Sequence, residues 1–154
     1  MGFGGIMFRG INAITIDAKG RMAVPARYRD ALHSNLVLTI DTAERCLLLY
    51  LEAEWRSIEL RLQQLPSFNA AARRIQRLLI GHATDLALDG QGRILLPQEL
   101  RQYAAIEKQA VLIGQGNKFE IWDDKLWQEK RELWINDETK LQEQLPDEMK
   151  TFSL

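Results

Sequence analysis

Cysteine is nearly missing from this sequence: Cys46 stands alone among 154 residues, so no disulfide framework can form within one chain. It precedes Leu47-Leu48-Leu49-Tyr50, a setting in which a thiol reads as a small buried hydrophobe rather than a nucleophile. No apolar run approaches the roughly 20 residues that span a bilayer, so no membrane partner is expected. Histidine is scarce too, with only His33 and His82 and no clustered partner for either, which argues against a metal site. Nor is positive charge in excess: a net charge of −1 and a pI of about 6.1 exclude a uniformly basic nucleic-acid coat. A P-loop, a nucleophile elbow and a carboxylate pair clearly set in a cleft are absent as well. The chain therefore reads as a non-enzyme without cofactor or small-molecule substrate.

What is present is an ordinary globular composition, 46% hydrophobic and 27% charged, enough for one good core or two small cores that lean on each other. Charge is unevenly placed. From Phe8 to Asp30 there are five bases against two acids, whereas Asp123 to Lys150 holds nine acids and five bases. The front of the chain carries a positive surface and its end a negative one. Met1 to Ile6 is Gly-rich without the basic flank of a secretory signal and reads as an upstream extension, with cytoplasmic residence expected.

The dominant feature is one short stretch that occurs twice. Asp17-Ala18-Lys19-Gly20-Arg21-Met22-Ala23-Val24-Pro25 and Asp89-Gly90-Gln91-Gly92-Arg93-Ile94-Leu95-Leu96-Pro97 share the pattern Asp-x-x-Gly-Arg, three small or apolar residues, then Pro. The copies lie 89 − 17 = 72 residues apart, and the same offset matches Arg29 to Arg101 and Trp55 to Trp127 without a gap. The repeat is thus a whole folding unit. In each copy the Asp side chain suits the backbone N–H groups two residues on, and Gly20 and Gly92 suit a turn that needs positive φ. Flanking apolar segments make each copy a hairpin, and Pro25 and Pro97 suit the first position of a short helix.

Taken in order, the pattern predicts strands at Ala13–Ile16, Leu36–Ile40 and Leu47–Leu51, and a short helix over Pro25–Leu32. Helices follow at Glu52–Leu65 and Ala70–Ile80, the second capped by Ser67 or Asn69. The second unit repeats the plan with strands at Asp85–Leu88, Arg93–Leu96, Ala110–Ile113 and Lys118–Trp122, and helices at Pro97–Ala104 and Asp124–Ile135. The expected organisation is a first repeat over 7–66, a crossover helix over 67–82, a second repeat over 83–135, and a polar helix or tail over 136–154.

The doubled motif, the start Met7-Phe8-Arg9-Gly10 and the run Arg73-Arg74-Ile75-Gln76-Arg77-Leu78-Leu79-Ile80-Gly81-His82-Ala83 together resemble the bacterial MraZ family. A single motif copy would indicate only the wider AbrB-like swapped-hairpin group. The resemblance implies an α+β fold in which two AbrB-like hairpin repeats form a small barrel-like core with a crossover helix and peripheral helices. It also implies a nucleoid-associated transcriptional regulator, a repressor, that binds double-stranded DNA at the promoter of the bacterial division and cell-wall gene cluster. Its chains would assemble into rings on tandem operator repeats.

Two readings fit Arg21: a guanidinium that enters a DNA groove, or one that pairs with Asp17 and only stabilises the turn. The resemblance favours the first. Arg93, its counterpart, has Gln91 in place of Lys19 and divides in the same way. Lys19, Arg27, Arg29 and Arg9 are candidates for phosphate contacts, against a reading as solvated surface charges. Arg73, Arg74 and Arg77 read as solvent-side charges of a helix whose Ala71, Ala72, Ile75, Leu78 and Leu79 pack inward, or as partners for acids of a neighbouring subunit. An oligomeric scaffold and an antitoxin-like protein-binding module of the same fold are the alternatives to a regulator.

Overall fold

The computed structural model describes residues 6–137 and 145–149. The Gly-rich start and most of the polar segment over 136–154, with the short helix or tail expected there, lie outside the described residues. Residues 6–124 belong to one compact unit, which holds all the strands among the described residues. They run β1 (Phe8–Thr15), β2 (Arg21–Ala23), helix α1 (Ala26–Arg29), β3 (Leu36–Ile40), β4 (Leu47–Leu51), helices α2 (Glu52–Gln63) and α3 (Ala70–Gly81), then β5 (Thr84–Leu86), β6 (Arg93–Leu95), helix α4 (Gln98–Tyr103), β7 (Gln109–Gly116) and β8 (Phe119–Asp123). From residue 125 on, a second unit contains most of helix α5 (Asp124–Asn136) and a 3₁₀ turn at Asp147–Met149. Within α5 the rings of Trp127 and Trp134 meet edge-on at 6.2 Å.

The α+β expectation holds, with two antiparallel sheets and an exchange of strands between repeats. One sheet has the order β1-β7-β8-β4-β3-β5 and the other is the pair β2-β6. Among the described residues no ladder closes them into a barrel, because β1 and β5 end the larger sheet. The expected hairpins β3-β4 and β7-β8 form, but the hairpin expected at each motif copy does not: among the described residues it is reduced to one bridge, Ile16 to Met22, in the first copy. Instead the first strand of each repeat pairs with the third of the other, β1 with β7 and β5 with β3. The second strands pair with each other, as do the fourth. Every ladder between β1, β2 or β5 and its neighbour thus stitches the two repeats together.

The repeat is not gapless. Leu36 faces Leu51 in the first unit, whereas Asp123, which lies 72 residues after Leu51, faces Ala110, and 110 − 36 is 74. Two residues enter before β7 and two are lost from the turn after it. Because strand side chains alternate with period two, a shift of two keeps each on its own face and is tolerated.

The core lies between the two sheets. Met22 and Ile94, directly opposite one another in the β2-β6 pair, are 0% and 1% exposed. Around them pack Val24, Leu96, Leu38, Leu49 and Leu112, and a cluster of Phe8, Tyr28 and Phe119, whose Phe8–Phe119 and Tyr28–Phe119 centroids lie 4.3 and 4.8 Å apart. Cys46 is fully buried, as its apolar surroundings imply. The short helices depart from expectation at both ends. Pro25 and Pro97 are extended N-cap residues with ψ of 140° and 143°, not the first helical residues, and α1 stops at Arg29 rather than Leu32.

Helix α3 departs further. Asn69 caps it, accepting the Ala72 N–H at 3.0 Å, and Thr39 Oγ1 ties it to the sheet through the Leu79 carbonyl at 2.7 Å. Yet none of its residues is fully buried, and Ala71, Ile75 and Leu78 are exposed along with Arg73, Arg74 and Arg77. The expected inward stripe is corrected: helical spacing identifies an apolar face but not what covers it.

Candidate nucleic-acid interface

Each Asp-x-x-Gly-Arg turn is closed by its own backbone. Asp17 Oδ1 accepts the N–H groups of Lys19 and Arg21, both at 2.9 Å, and Asp17 Oδ2 accepts Arg21 Nε at 2.7 Å. Asp89 does the same for Gln91 N–H at 2.8 Å, Arg93 N–H at 2.9 Å and Arg93 Nε at 2.9 Å. Gly20 and Gly92 have φ of +86° and +74°, the left-handed conformation that only glycine adopts at little cost. The geometry shows the Asp17 pairing of Arg21 and leaves the rest of the guanidinium open. Its Nε is held by Asp17, no described residue takes its terminal nitrogens, and its side chain remains 31% exposed. The Asp is a positioning device for a guanidinium that still has free donors.

Each turn is also clasped by the other repeat. Val24 N–H donates to the Gly92 carbonyl and Leu96 N–H to the Gly20 carbonyl, both at 2.9 Å. Arg29 Nε donates to the Val24 carbonyl at 2.8 Å while its side chain lies over Gly92, where an added Cβ would meet it at 2.6 Å. Arg101 holds the Leu96 carbonyl at 2.9 Å and lies over Gly20 in the same way, at 2.8 Å. Arg29 is therefore part of the clasp as well as an exposed cation. Arg101 is a member of the clasp that the motif does not include; its match to Arg29 across the repeat is the signal in the sequence that points to it.

Because Met22 and Ile94 point into the core, alternation turns Arg21, Ala23, Arg93 and Leu95 to the opposite face of the β2-β6 ribbon. Arg21 stands across from Leu95, which is 53% exposed, and Arg93 across from Ala23. The structure thus brings both motif arginines onto one outward face, and Leu95 is a member of it that spacing alone did not nominate. Lys19 is exposed at the tip of the first turn. Arg9 and Arg27 sit elsewhere: Arg9 is exposed at the start of β1, and Arg27 bonds Asn12 Oδ1 and lies 4.7 Å over the Tyr28 ring.

The pH behaviour of the turns follows. Bonding to the Arg21 backbone N–H, against an opposing desolvation and helped by the Arg21 side chain and the Lys19 N–H, lowers the Asp17 pKa from an ordinary 3.8 to about 2. Asp89 is lowered for the same reasons. A depressed carboxylate stabilises the fold fully above its unfolded value, and this contribution fades as pH falls from about 3.8 through about 2. Titration followed by carboxyl NMR should give an Asp17 midpoint near 2; a midpoint at or above 3.8 would show the turn bonds to be absent in solution.

Among the described residues one group of potential metal ligands was found, Asp41, Cys46 and Glu120, with donor atoms within 4.8 Å of one another. Burial, with Glu120 and Asp41 beside it, pushes the thiol well above its usual range, and its Sγ–H donates to Asp41 Oδ2 at 3.6 Å. Glu120, raised by burial, accepts Trp122 Nε1 at 2.9 Å. Within the group Cys46 bonds Asp41, and Glu120 takes its hydrogen bond from Trp122 outside it. No helix among the described residues is long and apolar enough to cross a membrane.

Fold and site together define a duplicated swapped-hairpin protein that presents two positioned arginines on an outward β-ribbon. The family model described as "MraZ protein, putative antitoxin-like" matches residues 7–78 and again 79–144, so the chain belongs to the MraZ family. It is 64% identical to "Transcriptional regulator MraZ" of Legionella pneumophila (strain Corby), over 96% of this chain and 100% of that protein. Proteins of the same name from Coxiella burnetii (strain Dugway 5J108-111) and Halorhodospira halophila (strain DSM 244 / SL1) are 52% and 49% identical over the same shares. These relatives are named as regulators of transcription, not as enzymes.

Proposed function

We propose that the chain regulates transcription by binding promoter DNA through the outward face of the β2-β6 ribbon and its two turns. The observation that carries this reading is the pair Arg21 and Arg93, each oriented by an Asp through Nε and each leaving its terminal nitrogens unclaimed among the described residues. A two-stranded ribbon fits the major groove, and a guanidinium fork matches the O6 and N7 acceptors of guanine. Lys19, Arg29, Arg27 and Arg9 supply phosphate contacts, which set register and affinity rather than sequence choice.

A chain of net charge −1 with one small basic face binds weakly alone. Affinity then comes from several chains engaging tandem operator repeats, each later contact being effectively intramolecular. The exposed Leu60, Phe68, Ile75 and Leu78 support assembly, since apolar groups of this size gain by being covered. We take the assembly to be a ring, working as a repressor on the nucleoid in the cytoplasm, at the promoter of the division and cell-wall gene cluster. Ile75→Glu with Leu78→Glu should lower the assembly mass toward that of one chain and weaken operator binding by about a hundredfold. Unchanged mass by sedimentation would remove this face from the assembly.

Gel-shift titration of the full chain on its own upstream DNA and on random duplex, at salt from about 50 to 200 mM, tests the reading. A regulator prefers the upstream DNA and weakens steeply with salt; a scaffold shows no sequence preference.

A further inference from the structure

A cleft of about 330 Å³ opens against the second turn, and its charge depends on one proton. The stretch Leu88 to Gly92 lines it together with Arg29, Asp30 and His33. The chain turns after α1, the His33 N–H donating to the Asp30 carbonyl at 3.3 Å, so both residues reach the cleft from one turn. His33 is exposed there. Access is open on the side of the motif as well, since a Cβ built on Gly90 would meet nothing within 4 Å.

The charged groups facing His33 across this cleft are Arg29, Asp30 and Asp89. Asp89 is committed to Arg93, whose Nε it holds at 2.9 Å, and the two charges cancel. That leaves one cation, one carboxylate and the imidazole. Arg29 places only its Nε, on the Val24 carbonyl at 2.8 Å, and no described residue takes its terminal nitrogens. With a neutral ring the cleft sums to zero; with a protonated ring it sums to +1. An imidazolium also offers two N–H donors where the neutral ring offers one. Histidine side chains gain that proton below about pH 6.5, whereas a DNA phosphodiester keeps its single negative charge at every pH of interest.

Resting on the DNA reading above, we infer that this cleft holds a phosphate of the DNA backbone between the Arg29 guanidinium and the His33 imidazolium, and that the proton on His33 makes or breaks the contact. The same turn directs Arg93 to the outward face of the ribbon, so a duplex that takes Arg93 into its groove runs its backbone past the turn and the cleft at its flank. At the other end of the ribbon Arg101 lies over Gly20 as Arg29 lies over Gly92. The residues 72 further on from Asp30 and His33 are Gln102 and Ala105, so that end has the arginine without the imidazole. Each chain therefore has one proton-dependent phosphate contact. It is fully present below the histidine range and is lost as pH rises through it.

The test is a titration of the full chain with its upstream DNA and with random duplex at pH 5.5 and pH 8, at fixed salt and then across salt. Affinity for the upstream DNA should fall by about tenfold or more from the lower pH to the higher. Random duplex should weaken in proportion, because a phosphate contact adds affinity and not sequence choice. The dependence of log K on log salt should be steeper at pH 5.5, by about one phosphate for each chain engaged. His33→Gln should bind at both pH values as the parent does at pH 8, and His33→Lys should keep the tighter binding up to pH 8. His82→Ala, which removes the other histidine, the C-cap residue of α3, should retain the parent's pH dependence. Affinity that does not change with pH, or a pH dependence that survives in His33→Gln, overturns the inference and leaves the DNA reading intact. Equal binding of upstream and random duplex at both pH values would overturn the DNA reading and the inference with it.

Discussion

Gly114→Ala should cost about 3 kcal/mol or more and lower the melting temperature by roughly 6 to 12 °C, the largest stability effect expected of a single methyl group in this chain. Gly114 of β7 faces Gly10 of β1, and a Cβ built on it would lie 2.4 Å from the Arg9 backbone nitrogen and 2.7 Å from Arg9 Cα. Both neighbours are main chain, fixed by an eight-residue ladder, so no side-chain rotation relieves the clash. Either β1 moves off β7 or the register breaks, and β1-β7 is the longest of the ladders that join the two repeats. The control is Gly90→Ala, where an added methyl meets nothing within 4 Å. That change should be neutral or stabilise by a few tenths of a kcal/mol through the unfolded chain. Equal melting temperatures for the two variants would show that β1 and β7 do not approach as described.

Arg21→Ala should abolish operator binding, with a loss of at least a hundredfold, while the mass of the assembly and the melting curve stay close to those of the parent. A bidentate arginine–guanine contact discriminates by about 1 to 3 kcal/mol, and an assembly loses that contact once for every chain it places on the DNA. Stability should be spared because Arg21 is partly exposed and the Asp17 carboxylate keeps its bonds from two backbone N–H groups. Arg21→Lys separates charge from geometry: it keeps the cation but not the planar fork, so sequence preference should fall while salt dependence remains. Binding unchanged in Arg21→Ala would remove the ribbon from the interface. Arg93→Ala, measured in parallel, tells whether the second turn contributes to the same degree.

The candidate site was legible in unequal parts. Asp17, Gly20 and Arg21 announce their turn because everything it needs lies within five residues: a carboxylate, backbone donors two and four positions on, and a residue free to take positive φ. The same holds for Asp89, Gly92 and Arg93, so the local reading transferred to both copies. Arg29 was harder. As an arginine within a short basic helix it reads as a phosphate contact, and only the fold shows it lying over Gly92 of the other repeat. Leu95 could be placed on the outward face only once Ile94 was known to point inward. For Ile75 and Leu78, the period of the helix gave the face, and the surface behind it decided their exposure.

What the amino-acid sequence by itself determined is therefore the duplication, the two self-closing turns and the apolar pattern of the strands, since each depends on neighbours in the chain. Tertiary structure decided which strand pairs with which, bringing β2 to β6 and so Arg21 and Arg93 onto one face. The physical reason is that an alternating strand buries the same side chains against a partner from its own repeat or from the other. Local pattern is indifferent between the two pairings, and the choice falls to the packing of the shared core around Met22 and Ile94.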